Sequence, residues 1–301
     1  MPSGPHHASS RRRPPERPQG PARPRTWPAV AGVIVVLLAL AGVVLASGFS
    51  PPSSGAAGPS RGHAARTARH PGTRAGAPAG RSSRGQTDDV QASPTALRTS
   101  CRSVAHIGDS TTVDLISPAV LPDSAQRLAA RYAAVGVTSL HMDASGGRSI
   151  VEELPGQVNG YDAVQAYWNE GFRGCWVFAL GTNDAANVAA GSRVGLTARI
   201  ERMMSVAHGE PVLWVNTRTQ LTASPWAESS EQAWDDALVR ALAQYPNMRI
   251  FNWAAVAQPD WFLSDGIHYN SAGCAARAAA IADALARAFP VHGNSQGPIV
   301  G

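Results

Sequence analysis

From residue 98 onward, five short apolar runs alternate with segments of helical periodicity, and this alternation restricts the fold more than any other feature of the chain. The runs are SVAHIG (103–108), VTSLHM (137–142), CWVFALG (175–181), PVLWVNT (211–217) and MRIFNW (248–253), with turn residues close by. Helix-like segments cover roughly 123–134, 161–171, 187–207 and 230–244, and another, 271–288, follows the last run. Strands that are apolar along their whole length need cover on both faces. The pattern therefore predicts a three-layer α/β sandwich with a five-stranded parallel sheet between helices. In such sheets functional groups gather at the carboxyl ends of the strands.

Four polar, glycine-bearing stretches fall at that edge: GDS (108–110), DASGGRS (143–149), GTND (181–184) and DGIH (265–268). Unrelated turns would be spread over both edges. Ser110 at the end of the first strand is a weak nucleophile until a base takes its proton. His268 is the candidate base, and Asp265, three residues earlier, is placed to orient its imidazole. His106 lies on the same strand as Ser110, roughly 13 Å away at about 3.3 Å per residue, and does not reach. His141, His208 and His292 fit packing or solvent-facing positions better. An oxyanion formed by attack on an ester needs hydrogen-bond donors. The backbone N–H groups of Ser110 and Gly146 and the carboxamide of Asn183 are the candidates, with Gly147 an alternative if the register shifts by one.

The order GDS, glycine, GTND and DGIH resembles the SGNH (GDSL-type) hydrolase superfamily over roughly residues 100–289. The resemblance implies a flavodoxin-like fold, with Ser110 as nucleophile and Asp265 and His268 completing a triad. It also implies an oxyanion hole from Ser110 N–H, Gly146 N–H and Asn183. GDSTT departs from the more common GDS-Leu-Ser, so contacts just after the nucleophile should differ. With strands ordered 2-1-3-4-5, Cys101 and Cys175 lie side by side on neighbouring strands and are expected to form a disulfide. Cys274 on the closing helix is expected to be a buried thiol. Arg148 and Arg218 are candidates to bind an anionic substrate group, and Trp261 to stack on a sugar ring or acyl chain; Trp226, Trp253 and Phe262 lie in nearby loops and fit packing roles. Asp109 and Asp184 are expected to bond loop backbones. No His/Cys cluster has metal-ligand spacing, so neither metal nor cofactor is expected.

The first third of the chain reads differently. Residues 1–97 carry 12 arginines against three acids, whereas 98–301 carry 14 against 18. The folded part is thus mildly acidic, which argues against nucleic-acid binding. Residues 28–46, PAVAGVIVVLLALAGVVLA, are 19 uncharged, mostly apolar residues preceded by six arginines. That run is long enough to span a bilayer, with the N-terminus cytosolic and the rest outside. A signal peptide cleaved at LASG is the competing reading; either way the protein is exported. The expected organisation is a cytosolic basic tail (1–27), a transmembrane signal-anchor (28–48), a disordered Pro/Gly/Ser/Arg linker (49–97), the hydrolase domain (98–290) and a C-terminal tail (291–301). The expected function is an extracytoplasmic esterase acting on an acylated carbohydrate, wall polymer or lipid. An O-acyltransferase with the same triad and a non-catalytic wall-binding module are the alternatives.

Overall fold

The structure, a computed structural model, describes Met1 and residues 97–301. The expected basic tail, transmembrane helix and linker lie outside the described residues. Among the described residues no helix is long and apolar enough to cross a membrane.

Strands β1 (Ser103–Gly108), β2 (Ser139–Ala144), β3 (Cys175–Ala179), β4 (Val212–Val215) and β5 (Met248–Phe251) correspond to the five apolar runs. The sheet has six strands rather than five, ordered β2-β1-β3-β4-β5-β6, and every pairing is parallel. The additional strand, β6 (Ile299–Val300), pairs with β5 at Ile250 and Phe251 and lies in the stretch read as a tail. Two residues behind a polar, glycine-bearing stretch carry no alternation for a sequence pattern to register.

Helices α1 (Ser110–Ile116), α2 (Leu128–Ala134), α3 (Gly160–Asn169), α4 (Thr182–Ala189), α5 (Leu196–Ala207), α6 (Glu228–Ala241), α7 (Trp253–Val256) and α8 (Ser271–Ala288) complete the domain. The helix expected over 187–207 is two helices, interrupted by AGSRVG (190–195). Because successive strand residues face opposite ways, one sheet feeds two cores. Val104, Val177, Leu213, Val215 and Phe251 pack with Leu115, Leu128, Tyr132 and Ile281 from α1, α2 and α8. Ala105, Ile107, Trp176, Phe178, Trp214 and Ile250 pack with Val164, Ile200, Met203 and Trp234 from α3, α5 and α6. Trp176, Trp214 and Trp234 are fully buried, and large apolar rings of this kind dominate core energetics.

Cys101 and Cys175 form a disulfide with a Cα–Cα separation of 5.6 Å. Cys175 pairs in register with Val104 on β1, which sets the two cysteines at the same end of neighbouring strands. Cys274 is a buried free thiol, pushed by burial up to about 12, and so is poorly suited to act as a nucleophile.

Candidate active site

β1 ends at Gly108, and the chain turns at once into α1, so Ser110 is the first residue of a helix. Asp109 caps that helix: its Oδ1 accepts the Thr111 N–H at 2.9 Å and the Thr111 hydroxyl at 2.7 Å. The Asp109 N–H donates to Ala179 O on β3, tying the turn to the sheet. The Ser110 N–H stands ahead of the intrahelical ladder and is among the free donors of the helix end.

The DGIH loop approaches from the other side of the sequence. An antiparallel bridge between Phe262 and Tyr269 closes it into a hairpin, and Gln220 N–H donates to Gly266 O from the loop after β4. His268 Nε2 lies 2.9 Å from Ser110 Oγ, and His268 Nδ1 lies 2.7 Å from Asp265 Oδ2. The other oxygen of Asp265 accepts the N–H groups of Ile267 and His268 at 2.9 and 3.0 Å. Burial raises the Asp265 carboxyl, but these three hydrogen bonds outweigh it and hold the group below the usual aspartate range. Asp265 therefore stays ionised and accepts a proton-bearing Nδ1, leaving the His268 Nε2 lone pair directed at the serine hydroxyl. The structure brings Ser110, His268 and Asp265 into one hydrogen-bonded line.

The two other candidate donors come from the loops after β2 and β3. Gly147 adopts φ +70°, which explains a glycine there as a turn requirement, whereas a Cβ on Gly146 would meet nothing within 4 Å. Gly146 is thus exposed, with open space beside its Cα. Asn183, on the first turn of α4, donates through Nδ2 to Arg148 O at 3.1 Å and accepts the Trp226 indole N–H at 3.5 Å. Those contacts assign the amide orientation and leave the second Nδ2 hydrogen available. Gly181, which opens GTND, has φ +147°, and a Cβ there would stand 2.2 Å from Trp234 Nε1. Only glycine fits this turn.

The remaining candidates are committed elsewhere. Arg148 is buried and pairs with Asp143 Oδ1 at 2.8 Å while donating to the carbonyls of Asp143 and Val158. Trp261 stacks on the buried Trp253, with ring centroids 5.8 Å apart and planes 15° from parallel. Arg218 donates to the carbonyls of Ala254 and Ala257. His106 bridges Tyr132 OH and Thr112 Oγ1, and burial, aided by Arg277, lowers it to about 3, so it is a neutral core residue. Among the described residues no group of His, Cys, Asp or Glu side chains is arranged to hold a metal ion.

Two supports escape a reading of the sequence. Arg199 on α5 is fully buried and joins Asp184 Oδ1, 2.7 Å from Nη1, to Glu152. Asp184 also accepts the Ile150 N–H, so GTND, the loop after β2 and α5 are held as one unit. Burial pushes the Asp184 carboxyl up to about 6 despite Arg199, whereas hydrogen bonds overcome burial at Glu152 and bring it down to about 2. The second support is Arg277 on α8, 3% exposed, which reaches Thr111 Oγ1 and Tyr269 OH at 3.3 Å each. Thr111 thus passes a hydrogen bond from a buried guanidinium to Asp109, the residue before Ser110. That contact falls within GDSTT, one residue past Ser110. Its sequence signal is a lone arginine on the alanine-rich apolar face of α8.

No protein-family model matches the chain, and no curated protein does. Among solved structures, the lipase/acylhydrolase from Enterococcus faecalis is 15% identical, with a TM-score of 0.50 over 64% of this chain and all of that one. A carbohydrate acetylesterase family member from Sinorhizobium meliloti is 17% identical, covering 60% of this chain and 95% of its own, with a TM-score of 0.46. The catalytic domain of Streptococcus pneumoniae peptidoglycan O-acetyltransferase A is 15% identical over 61% of this chain and 89% of its own, at 0.43. Residues 97–301 therefore share the α/β fold of the Enterococcus lipase/acylhydrolase.

Proposed function

We propose that this chain is an SGNH-type serine esterase whose catalytic domain works outside the cytosol, tethered through residues 28–46. The observation that carries the reading is the continuous line Ser110 Oγ, His268 Nε2, His268 Nδ1, Asp265 Oδ2, with separations of 2.9 and 2.7 Å. In the proposed reaction Ser110 Oγ attacks the ester carbonyl while its proton passes to His268 Nε2. The oxyanion is met by the N–H groups of Ser110 and Gly146 and by Asn183 Nδ2. Collapse expels the alcohol, which takes the proton from His268, and leaves an acyl-serine. Water then attacks that ester, gives its proton to His268, and releases the acid and the free serine. An O-acyltransferase would share this acyl-serine and pass the acyl group to a sugar hydroxyl in place of water; His268 and Asp265, 31% and 38% exposed, are open to either acceptor. The disulfide and the arginine-flanked apolar run support an oxidising compartment beyond the membrane.

A p-nitrophenyl ester series tests this on residues 98–301 and on Ser110→Ala. Hydrolysis and fluorophosphonate labelling are expected in the parent, with labelling absent and the rate down by three or more orders of magnitude in the variant, on the order of triad deletions elsewhere. Hydrolysis undiminished in Ser110→Ala would end the proposal.

A further inference from the structure

We infer that Arg277 is a positioning residue for the Ser110–His268 contact: it holds the residue after the serine and the residue after the histidine at once, and so fixes the separation of the two. The inference rests on the proposed esterase reading for its effect on turnover, and on geometry alone for the hold itself. Ser110 opens α1, His268 lies in the hairpin before α8, and they are 158 residues apart. Among the described residues, their hydrogen bond is the one that directly joins 109–116 to 261–270. A second route runs through α8. Arg277 Nη2 donates to Thr111 Oγ1 and Nη1 to Tyr269 OH, each at 3.3 Å. Thr111 Oγ1 in turn donates to Asp109 Oδ1 at 2.7 Å, so the residues on both sides of Ser110 belong to one chain of bonds. Tyr269 OH also accepts the Trp253 indole N–H at 2.6 Å.

Stability does not explain an arginine at this place. Its side chain is buried on the inward face of α8, which it shares with Cys274 and Ile281, three residues before it and four after. Among the described residues it makes no ion pair, and its Nε has no hydrogen-bond partner. Burying a cation with no carboxylate against it is costly, and a well-packed apolar side chain commonly serves stability as well or better. Two rings offset part of that cost. The guanidinium carbon lies 5.2 Å from the Trp253 ring centroid and 5.3 Å from that of Tyr269, within cation–π reach. A planar fork held between rings presents its N–H groups in fixed directions, which suits a contact that sets a distance. Thr111 and Tyr269 are themselves buried, so water does not compete for either bond. The distance being set matters, because a misplacement of about 1 Å between reacting groups costs on the order of 10²-fold in rate.

Arg277→Met, Thr111→Val and Tyr269→Phe, singly and combined in the full chain, test the hold. One measurement needs no turnover: NMR of protein labelled with 15N in its histidine rings. In the parent, Ser110→Ala should move the His268 Nε2 resonance, because it removes the hydrogen-bond donor. In Arg277→Met the same substitution should move it by less than half as much. No movement in the parent, or an equal movement in both backgrounds, would overturn the proposal. The other measurement is kinetic. The rate of fluorophosphonate labelling and kcat/KM for p-nitrophenyl acetate should fall together in Arg277→Met, by on the order of 10²-fold, while urea unfolding stays cooperative. In Thr111→Val/Tyr269→Phe, which lacks both hydroxyls, adding Arg277→Met should cost less than about twofold more. Losses that multiply would show that Arg277 acts by another route and would end the proposal. Thr111→Val and Tyr269→Phe each remove a single oxygen, so they decide the NMR comparison if Arg277→Met does not fold. A resonance that Arg277→Met uncouples from Ser110 in a chain that hydrolyses no ester would uphold the hold while removing the esterase reading.

Discussion

At the scale of single residues, the costliest feature of the site's surroundings is a carboxyl group with nothing to hold. Glu231 on α6 is fully buried, and neither of its oxygens reaches a hydrogen-bond partner. Burial pushes it from 4.5 up to about 9, and the neighbouring Asp235 carboxylate adds to this. Between those two values the folded chain keeps a proton that the unfolded chain has released. Stability therefore falls as pH rises through that window, by up to about 1.4 kcal/mol for each unit. Glu231→Gln removes the titration and keeps the shape, and the amide's own burial cost is the same at every pH. Thermal melts at pH 5, 7 and 8.5 should show the variant gaining on the parent as pH rises; a constant difference would refute the buried proton. Nothing in ESSEQAWDD marks Glu231 apart from its polar neighbours, because only the packing of α6 determines which of them turns inward. Ser110, His268 and Asn183 were legible for the opposite reason: Ser110 and Asn183 open helices just past the ends of β1 and β3, and His268 precedes the closing helix, so chain order brings all three to one edge of the sheet.

Between elements, the decisive contact is the pairing of Arg199 with Asp184 and Glu152, which fastens α5 to both loops that carry proposed oxyanion donors. Glu152 and Arg199 are 47 residues apart, and no spacing rule relates them. The break between α4 and α5 was equally obscure, since 187–207 keeps a helical period that only the AGSRVG stretch interrupts. The strands, by contrast, were plain, because a run apolar on both faces has few other places to go. Arg199→Met removes the charge from a fully buried site and leaves the fully buried Asp184 carboxylate without its cation, while the part-exposed Glu152 keeps Ser149, Asn187 and Ser192; the loss should be on the order of 3–5 kcal/mol. Urea unfolding should report that loss. Arg199→Lys should recover only part of it, since one ammonium cannot reproduce the planar fork that reaches Glu152, Asp184 and Ser192 together. Equal stability of the Lys variant and the parent would show that charge alone holds the loops.

For the described domain as a whole, the Cys101–Cys175 bond is the cross-link that ties the start of the fold to the third strand, across 74 residues. The pairing could be anticipated because strand order places both cysteines at one end of adjacent strands, whereas β6 could not, since it is itself a segment of only two residues. Closing a loop of that length in the unfolded chain is worth about 4 kcal/mol by chain entropy. For a domain of about 200 residues, each kcal/mol moves Tm by roughly 2–4 °C, so reduction should lower Tm by on the order of 10 °C. Cys274 supplies an internal control, because it is buried and unpaired. Protein isolated from an oxidising compartment should titrate one thiol when denatured and three after reduction. Protein made in a reducing cytosol should titrate three at once and melt at the lower temperature. Three thiols in material exported by its own N-terminal segment would separate the cross-link from the compartment and undercut the placement of the catalytic domain outside the cell.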